Sequence, residues 1–97
     1  MNPAILADSC TWRSKGAEAA HQATYTDIAI PCQWEPRHGA YRTTNGDLSE
    51  YSLEVIVQQL GIKQGDLMVK GSESYTVVYV DDIYLRGRYH HSEVFAK

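Results

Sequence analysis

The chain is poor in the residues that carry most simple functional signatures. It has two cysteines, three prolines, one phenylalanine and two methionines in 97 residues. Its longest uncharged apolar run, Tyr75 to Val80, falls far short of the roughly 20 residues a helical membrane span requires. No basic start followed by a long apolar stretch opens "MNPAILADSC", so no secretory leader is expected and the cytoplasm is the default compartment. Cys10 and Cys32 are too far apart in sequence, and too far from any histidine at metal-ligand spacing, to read as a metal motif. A disulfide between them needs neighbouring strands and an oxidising compartment. No phosphate-cradling glycine loop and no G-x-S-x-G nucleophile turn occurs. Lys and Arg total 9 against 12 Asp and Glu, a net charge of −3. That balance argues against a nucleic-acid backbone as the main partner, because such affinity comes chiefly from cationic contacts to phosphates.

What is present is a β pattern. Hydrophobic residues make up 43% of the chain and charged residues 22%, near the averages for globular domains, and the length allows one domain. Ile28, Ile30, Cys32 and Trp34 alternate with smaller or polar residues, and so do Leu53, Val55 and Val57. A period of two is that of a half-buried strand. Pro31 places its strand at an edge or a bulge. The stretch 48–64 also carries a helical spacing, Leu53, Ile56, Val57 and Leu60, but the β-branched Val55-Ile56-Val57 favours strand. Two strands, Leu67–Lys70 and Tyr75–Val80, are joined by the Gly71 turn, and Asp81-Asp82 reads as a turn before a last strand, Ile83–Tyr89. "CTWRS" is a weaker strand candidate.

These elements predict an all-β chain: a small β-barrel or sandwich of five to six short strands with a long loop and a flexible N-terminal arm. The single domain divides into an arm over 1–9, a barrel over 10–89 interrupted by a loop at 35–50, and a tail over 90–97. Residues 15–23 read as a second loop. The expected core is Leu53, Val55, Val57, Leu67, Val69, Val77, Tyr79, Ile83 and Leu85.

Several side chains suit binding or chemistry. The segment "EPRHGAYRTTNGD" holds Arg37, His38, Tyr41, Arg42 and Asn45, types suited to interfaces, where Tyr and Arg concentrate binding energy. Its plain reading is a solvated loop. Arg86, Arg88, Tyr84, Tyr89 and His90 form a second cluster, read either as a partner-binding strand face with Arg86 and Arg88 beside Tyr84 or as the Arg, Tyr and His of a small RNA-cleaving toxin. His90 and His91 point to opposite faces of a regular strand, which disfavours a shared metal.

The order of "DIAIPCQWEP", a long segment to Asp47, "YSLEVIV", "QGDLMV", "GSES" and "YTVVYV" resembles the small head–tail joining proteins of long-tailed bacteriophages, the head-completion or stopper family of the lambda type. The resemblance covers about residues 25 to 89. It implies a non-enzymatic virion protein without cofactors that forms a ring, a hexamer in the family, at the head–tail connector. Its partners would be other copies of itself, the portal or adaptor protein, and the tail terminator or tail tube. DNA would pass through without specific binding, and no membrane is involved. The site of action would be the virion neck, and the host cytoplasm during assembly. The partner-binding residues would be Arg37, His38, Tyr41, Arg42, Asn45, Arg86 and Arg88. The alternative is a small β-barrel binding module or RNA-cleaving toxin using the Arg/Tyr/His cluster.

Overall fold

The computed structural model describes residues 6–19 and 22–97 and is all-β. Six strands run β1 (Asp8–Ala19), β2 (Gln22–Arg42), β3 (Leu48–Val57), β4 (Leu67–Lys70), β5 (Glu73–Leu85) and β6 (Arg88–Ala96). All pair antiparallel, and the order β1-β2-β3-β6-β5-β4 closes on itself through three β1–β4 rungs, Thr11↔Val69 to Arg13↔Leu67. Closure removes most of the open edges that a small sheet would otherwise have to protect. The ring is irregular, because β4 has 4 residues whereas β2 has 21.

The period-two segments point as expected. Leu53, Val55 and Val57 are fully buried, and Ile30, Cys32 and Trp34 line the same interior from β2. At Pro31 the strand pairs only with β1, through Ser9, since the first rung to β3 is Gln33↔Ile56. The missing N–H therefore costs no ladder bond. Segment 48–57 is strand.

Other expectations are corrected. The loop expected at 35–50 is strand up to Arg42 and again from Leu48, leaving a turn at 43–47. The tail expected at 90–97 lies almost wholly in β6, whose Ser92, Val94 and Ala96 are buried. Small side chains over Lys15 to Ala23 look like loop, but there β1 and β2 form a long hairpin with rungs from Lys15↔Tyr25 to Ala19↔Gln22. Of the arm, Asp8 and Ser9 already belong to β1, and residues 1–5 lie outside the described residues. Asp81-Asp82 is no turn, because β5 runs through it to Leu85 and reverses at Arg86-Gly87.

The core differs where the ladder slips. In β4 it is Met68 that is buried, with Leu67 and Val69 half-buried, so that strand has the opposite parity to the one expected. A bulge between Val77 and Tyr79 turns Val77 and Val80 toward the core and leaves Tyr79 40% exposed. Leu85 is 54% exposed at a hairpin tip, and Ile83 is half-buried.

β3 and β4 stand on opposite walls of the ring, so segment 58–66 crosses between them with Ile62 buried in the core. Asp66, at its end, is fully buried. Its carboxylate accepts from Trp12 Nε1–H at 2.9 Å, from the Lys15 N–H at 2.9 Å and from the Lys63 N–H at 3.0 Å, with Lys63 Nζ 3.4 Å away. Burial alone would push this carboxyl up, but the donated hydrogen bonds and Lys63 hold it below the ordinary aspartate range. Asp66 therefore ties the crossing segment to β1 with every strong donor around it satisfied.

Candidate functional site

Beyond the rungs Asp8↔Cys32 and Leu53↔Ala96, β2 and β3 pair with each other as a two-stranded ribbon, from Gly39↔Tyr51 to Arg42↔Leu48. Its turn is closed by Thr43 N–H to Asp47 O at 2.8 Å, Gly46 N–H to Thr43 O at 2.9 Å and Arg42 Nη1 to Gly46 O at 2.6 Å. The register shifts between Pro36 and Gly39, and this bulge carries Arg37 and His38. Arg37 bridges Glu54 at 3.0 Å and Glu35 at 3.2 Å, and His38 is exposed. Such half-exposed pairs contribute roughly 0–1 kcal/mol each, so they orient the guanidinium more than they hold the fold.

Alternation gives the ribbon two faces. Ala40, Arg42, Leu48 and Glu50 are exposed, with Leu48 at 67%, while Gly39, Tyr41, Ser49 and Tyr51 are half-buried. The half-buried face meets β5 and β6 in an aromatic cluster. Tyr41 stacks on Tyr79 with ring centroids 4.9 Å apart, Tyr79 lies 5.7 Å from Phe95, and Phe95 lies 4.7 Å from Tyr51. Gly39 is required here because a Cβ at that position would stand 2.2 Å from the Tyr51 hydroxyl. Two clefts of about 390 and 400 Å³ flank the ribbon. The first is lined by Tyr41, Arg42, Thr43, Thr44, Gln64, Val78 and Tyr79; the second by His38, Gly39, Ala40, Glu50 and Tyr51. Asn45 sits exposed at the turn.

The β5–β6 hairpin is the second exposed structure. Arg86 (φ 53°) and Gly87 (φ 77°) form its two-residue turn between Leu85 and Arg88. Positive φ at both positions is the mirror-image turn that suits strand twist, and it favours Asn or Gly over a long side chain at the first position. Arg86 is the one described non-glycine residue with positive φ. Around it Tyr84 and Leu85 are each 54% exposed, Arg88 is exposed, and Tyr84 meets Tyr89 edge-on at 5.7 Å. Apolar, aromatic and cationic groups thus share one tip.

The base of this hairpin holds polar groups of the types used in catalysis, but they serve each other. Ser92 is fully buried; its hydroxyl donates to Asp82 at 2.5 Å and lies 2.8 Å from the Tyr89 hydroxyl. His90 Nδ1 is 2.7 Å from His91 Nδ1, and His91 Nε2 is 3.5 Å from Glu93. Burial above all pushes His90 down, and the neighbouring His91 adds to it. Among the described residues no group of three or more His, Cys, Asp or Glu could hold a metal ion.

The structure therefore splits the seven residues singled out by sequence. Arg37, His38, Tyr41, Arg42 and Asn45 ride on the ribbon, past the Leu53↔Ala96 end of the β3–β6 ladder, and Arg86 and Arg88 sit at the tip past its Val57↔Ser92 end. Tyr84, expected on one strand face with both arginines, shares its face with neither: the register puts it opposite Tyr89, Arg88 lies on the other face opposite Leu85, and Arg86 belongs to the turn. Sequence reading missed Tyr51, Tyr79 and Phe95 as ribbon anchors; the signal was an aromatic excess without a core large enough to take it. It also missed Asp66, hidden in a Gly-Asp pair that reads as a plain turn.

The chain matches no protein-family model, and no curated protein matches it.

Proposed function

We propose that the protein is a structural virion component of a tailed phage or prophage, a ring subunit at the head–tail connector that closes the head and docks the tail. The observation that supports this reading is the placement of two Arg- and Tyr-bearing hairpins at opposite ends of one ladder. A subunit in a stack of rings needs separate surfaces for the component above and the component below. A closed barrel with the ribbon at one end and the tip at the other supplies them. In this reading the ribbon and tip engage the portal or adaptor on one side and the tail terminator or tail tube on the other. Neighbouring copies complete a hexameric ring through which DNA passes without specific contacts. No cofactor or membrane takes part.

The tip supports binding more than catalysis. A strained Arg86 beside exposed Tyr84 and Leu85 resembles an interface anchor, since strain is retained where the surrounding structure gains from it. Ser92, held by Asp82, is itself fully buried and offers no accessible nucleophile.

The reading is tested by deleting the gene from its phage and supplying variants in trans. His38→Ala with Asn45→Ala on the ribbon, and Arg88→Ala on the tip, should each give filled heads and free tails that fail to join, with the variant proteins folded. Normal particles from all of them, or cleavage of RNA by the wild type that Arg88→Ala abolishes, would overturn it.

A further inference from the structure

The two cysteines were distant in sequence, but the fold brings them together. β1 and β2 pair with Asp8 opposite Cys32 and Cys10 opposite Ile30, so Cys10 and Cys32 are diagonal neighbours. Both are buried, at 5% and 0%, and both are free thiols. The two thiols are close enough for each to shift the other's ionisation. Above them the β1–β2 pairing ends at Asp8, which contacts Lys70 at 3.5 Å and accepts the Trp34 N–H at 3.2 Å.

We propose that Cys10 and Cys32 are a latent disulfide site, a reversible covalent staple between β1 and β2 that closes when the protein meets a peroxide. Thiols on diagonal positions of neighbouring strands need an approach to reach the S–S distance of about 2.05 Å, and the terminal rungs of a ladder can supply it. Diagonal Cβ atoms on neighbouring strands start somewhat farther apart than the roughly 3.5–4.5 Å of a relaxed bridge, so the approach moves the end of β1 toward β2.

The two sulfurs are unequal. The hydrogen bond from Cys10 favours the Cys32 thiolate against the opposing effect of burial, and the same bond, with burial, pushes Cys10 far up. In the proposal Cys32 attacks first. Its thiolate attacks one peroxide oxygen, the O–O bond breaks, and the departing hydroxide takes up the thiol's proton as water. The Cys10 sulfur then attacks the sulfenic sulfur; the S–S bond forms, the S–OH bond breaks, and hydroxide leaves with the Cys10 proton as a second water. The two thiols lose two electrons and two protons, which reduce one peroxide to two waters. Burial shields both thiols from bulky oxidants, while a peroxide is small enough to enter.

The test is to treat the native protein with hydrogen peroxide, then denature it, titrate its thiols and map its peptides without reduction. Both thiols should disappear together, a Cys10–Cys32 linked peptide should appear in monomeric protein, and Tm should rise by roughly 10 °C and return on adding dithiothreitol. Cys10→Ser and Cys32→Ser should show no such rise. Thiols that survive peroxide, cysteines oxidised to sulfinic acid without a link, dimers joined through cysteine, or a linked protein with a lower Tm would each overturn the proposal.

Discussion

The Tyr41 hydroxyl donates a 3.0 Å hydrogen bond to the carbonyl of Val78, the residue that β5 bulges out of its ladder with β6. One phenol thereby satisfies a carbonyl freed by an irregular strand and anchors a two-stranded ribbon that would be marginal alone. Tyr41→Phe keeps the stack on Tyr79 and loses only this bond. It should lower stability by about 1 kcal/mol in urea unfolding, and Tyr41→Ala should cost more, since the aromatic pair goes too. Amide hydrogen exchange over residues 39–51 should accelerate in both. Equal stability of Tyr41→Phe and wild type would show that the bond does not hold the ribbon.

Asp66 makes acid stability a local property. Its carboxyl titrates below the ordinary value of about 3.9. It therefore contributes stability that is fully present above about pH 4 and is lost as pH falls through its native value. Asp66→Ala removes the acceptor from one buried and two partly buried donors, a buried one costing about 1–3 kcal/mol when left unpaired, out of a typical total of about 5–15 kcal/mol. Asp66→Asn keeps one acceptor oxygen, so it should fall between, with a shallower loss of stability below pH 4 than wild type. The same acid slope in wild type and Asp66→Asn, measured by urea midpoints from pH 3 to pH 6, would contradict the assignment.

Gly39 and Tyr51 make a close cross-strand approach. Gly39→Ala must displace a ring already packed on Phe95, and overpacking of this kind costs about 1–3 kcal/mol. Adding Tyr51→Leu should recover part of that loss, so the double variant should be more stable than the sum of its singles. Strict additivity in a double-mutant cycle would mean that the clash is relieved elsewhere.

How much of this was legible in the sequence depends on whether local pattern and tertiary role agreed. Leu53, Val55 and Val57, and Ile30, Cys32 and Trp34, carry their burial in their spacing because each strand has one face to the interior. The class of fold followed from them. The ribbon did not, since Pro36, Gly39, Asn45 and Gly46 are turn formers, and pairing of Gly39 with Tyr51 is visible only once the cross-strand partner is known. Tyr79 and Met68 were misjudged because bulges and parity in β4 and β5 depend on neighbours in the ladder. Arg86-Gly87 looked like strand, while Asp81-Asp82, earlier in β5, looked like a turn; an arginine at positive φ has no composition signal. Of the binding residues, the types were legible and their division between two ends was not.

Arg86 pays a conformational penalty at φ 53°. Arg86→Asn suits this turn better and should raise stability by up to about 1 kcal/mol. If the side chain is kept for binding, the stabilised variant should join heads to tails less well than wild type. A more stable variant that joins them normally would remove Arg86 from the interface.

The most direct measurement for the central proposal is electron microscopy of the purified protein mixed with portal rings and with tail-tube rings encoded beside its gene. The account expects an added ring of density on the portal or the tube, missing when His38→Ala, Asn45→Ala and Arg88→Ala are combined in a protein that still melts as wild type does. Bare portal and tube rings at protein concentrations well above those of the rings would contradict it.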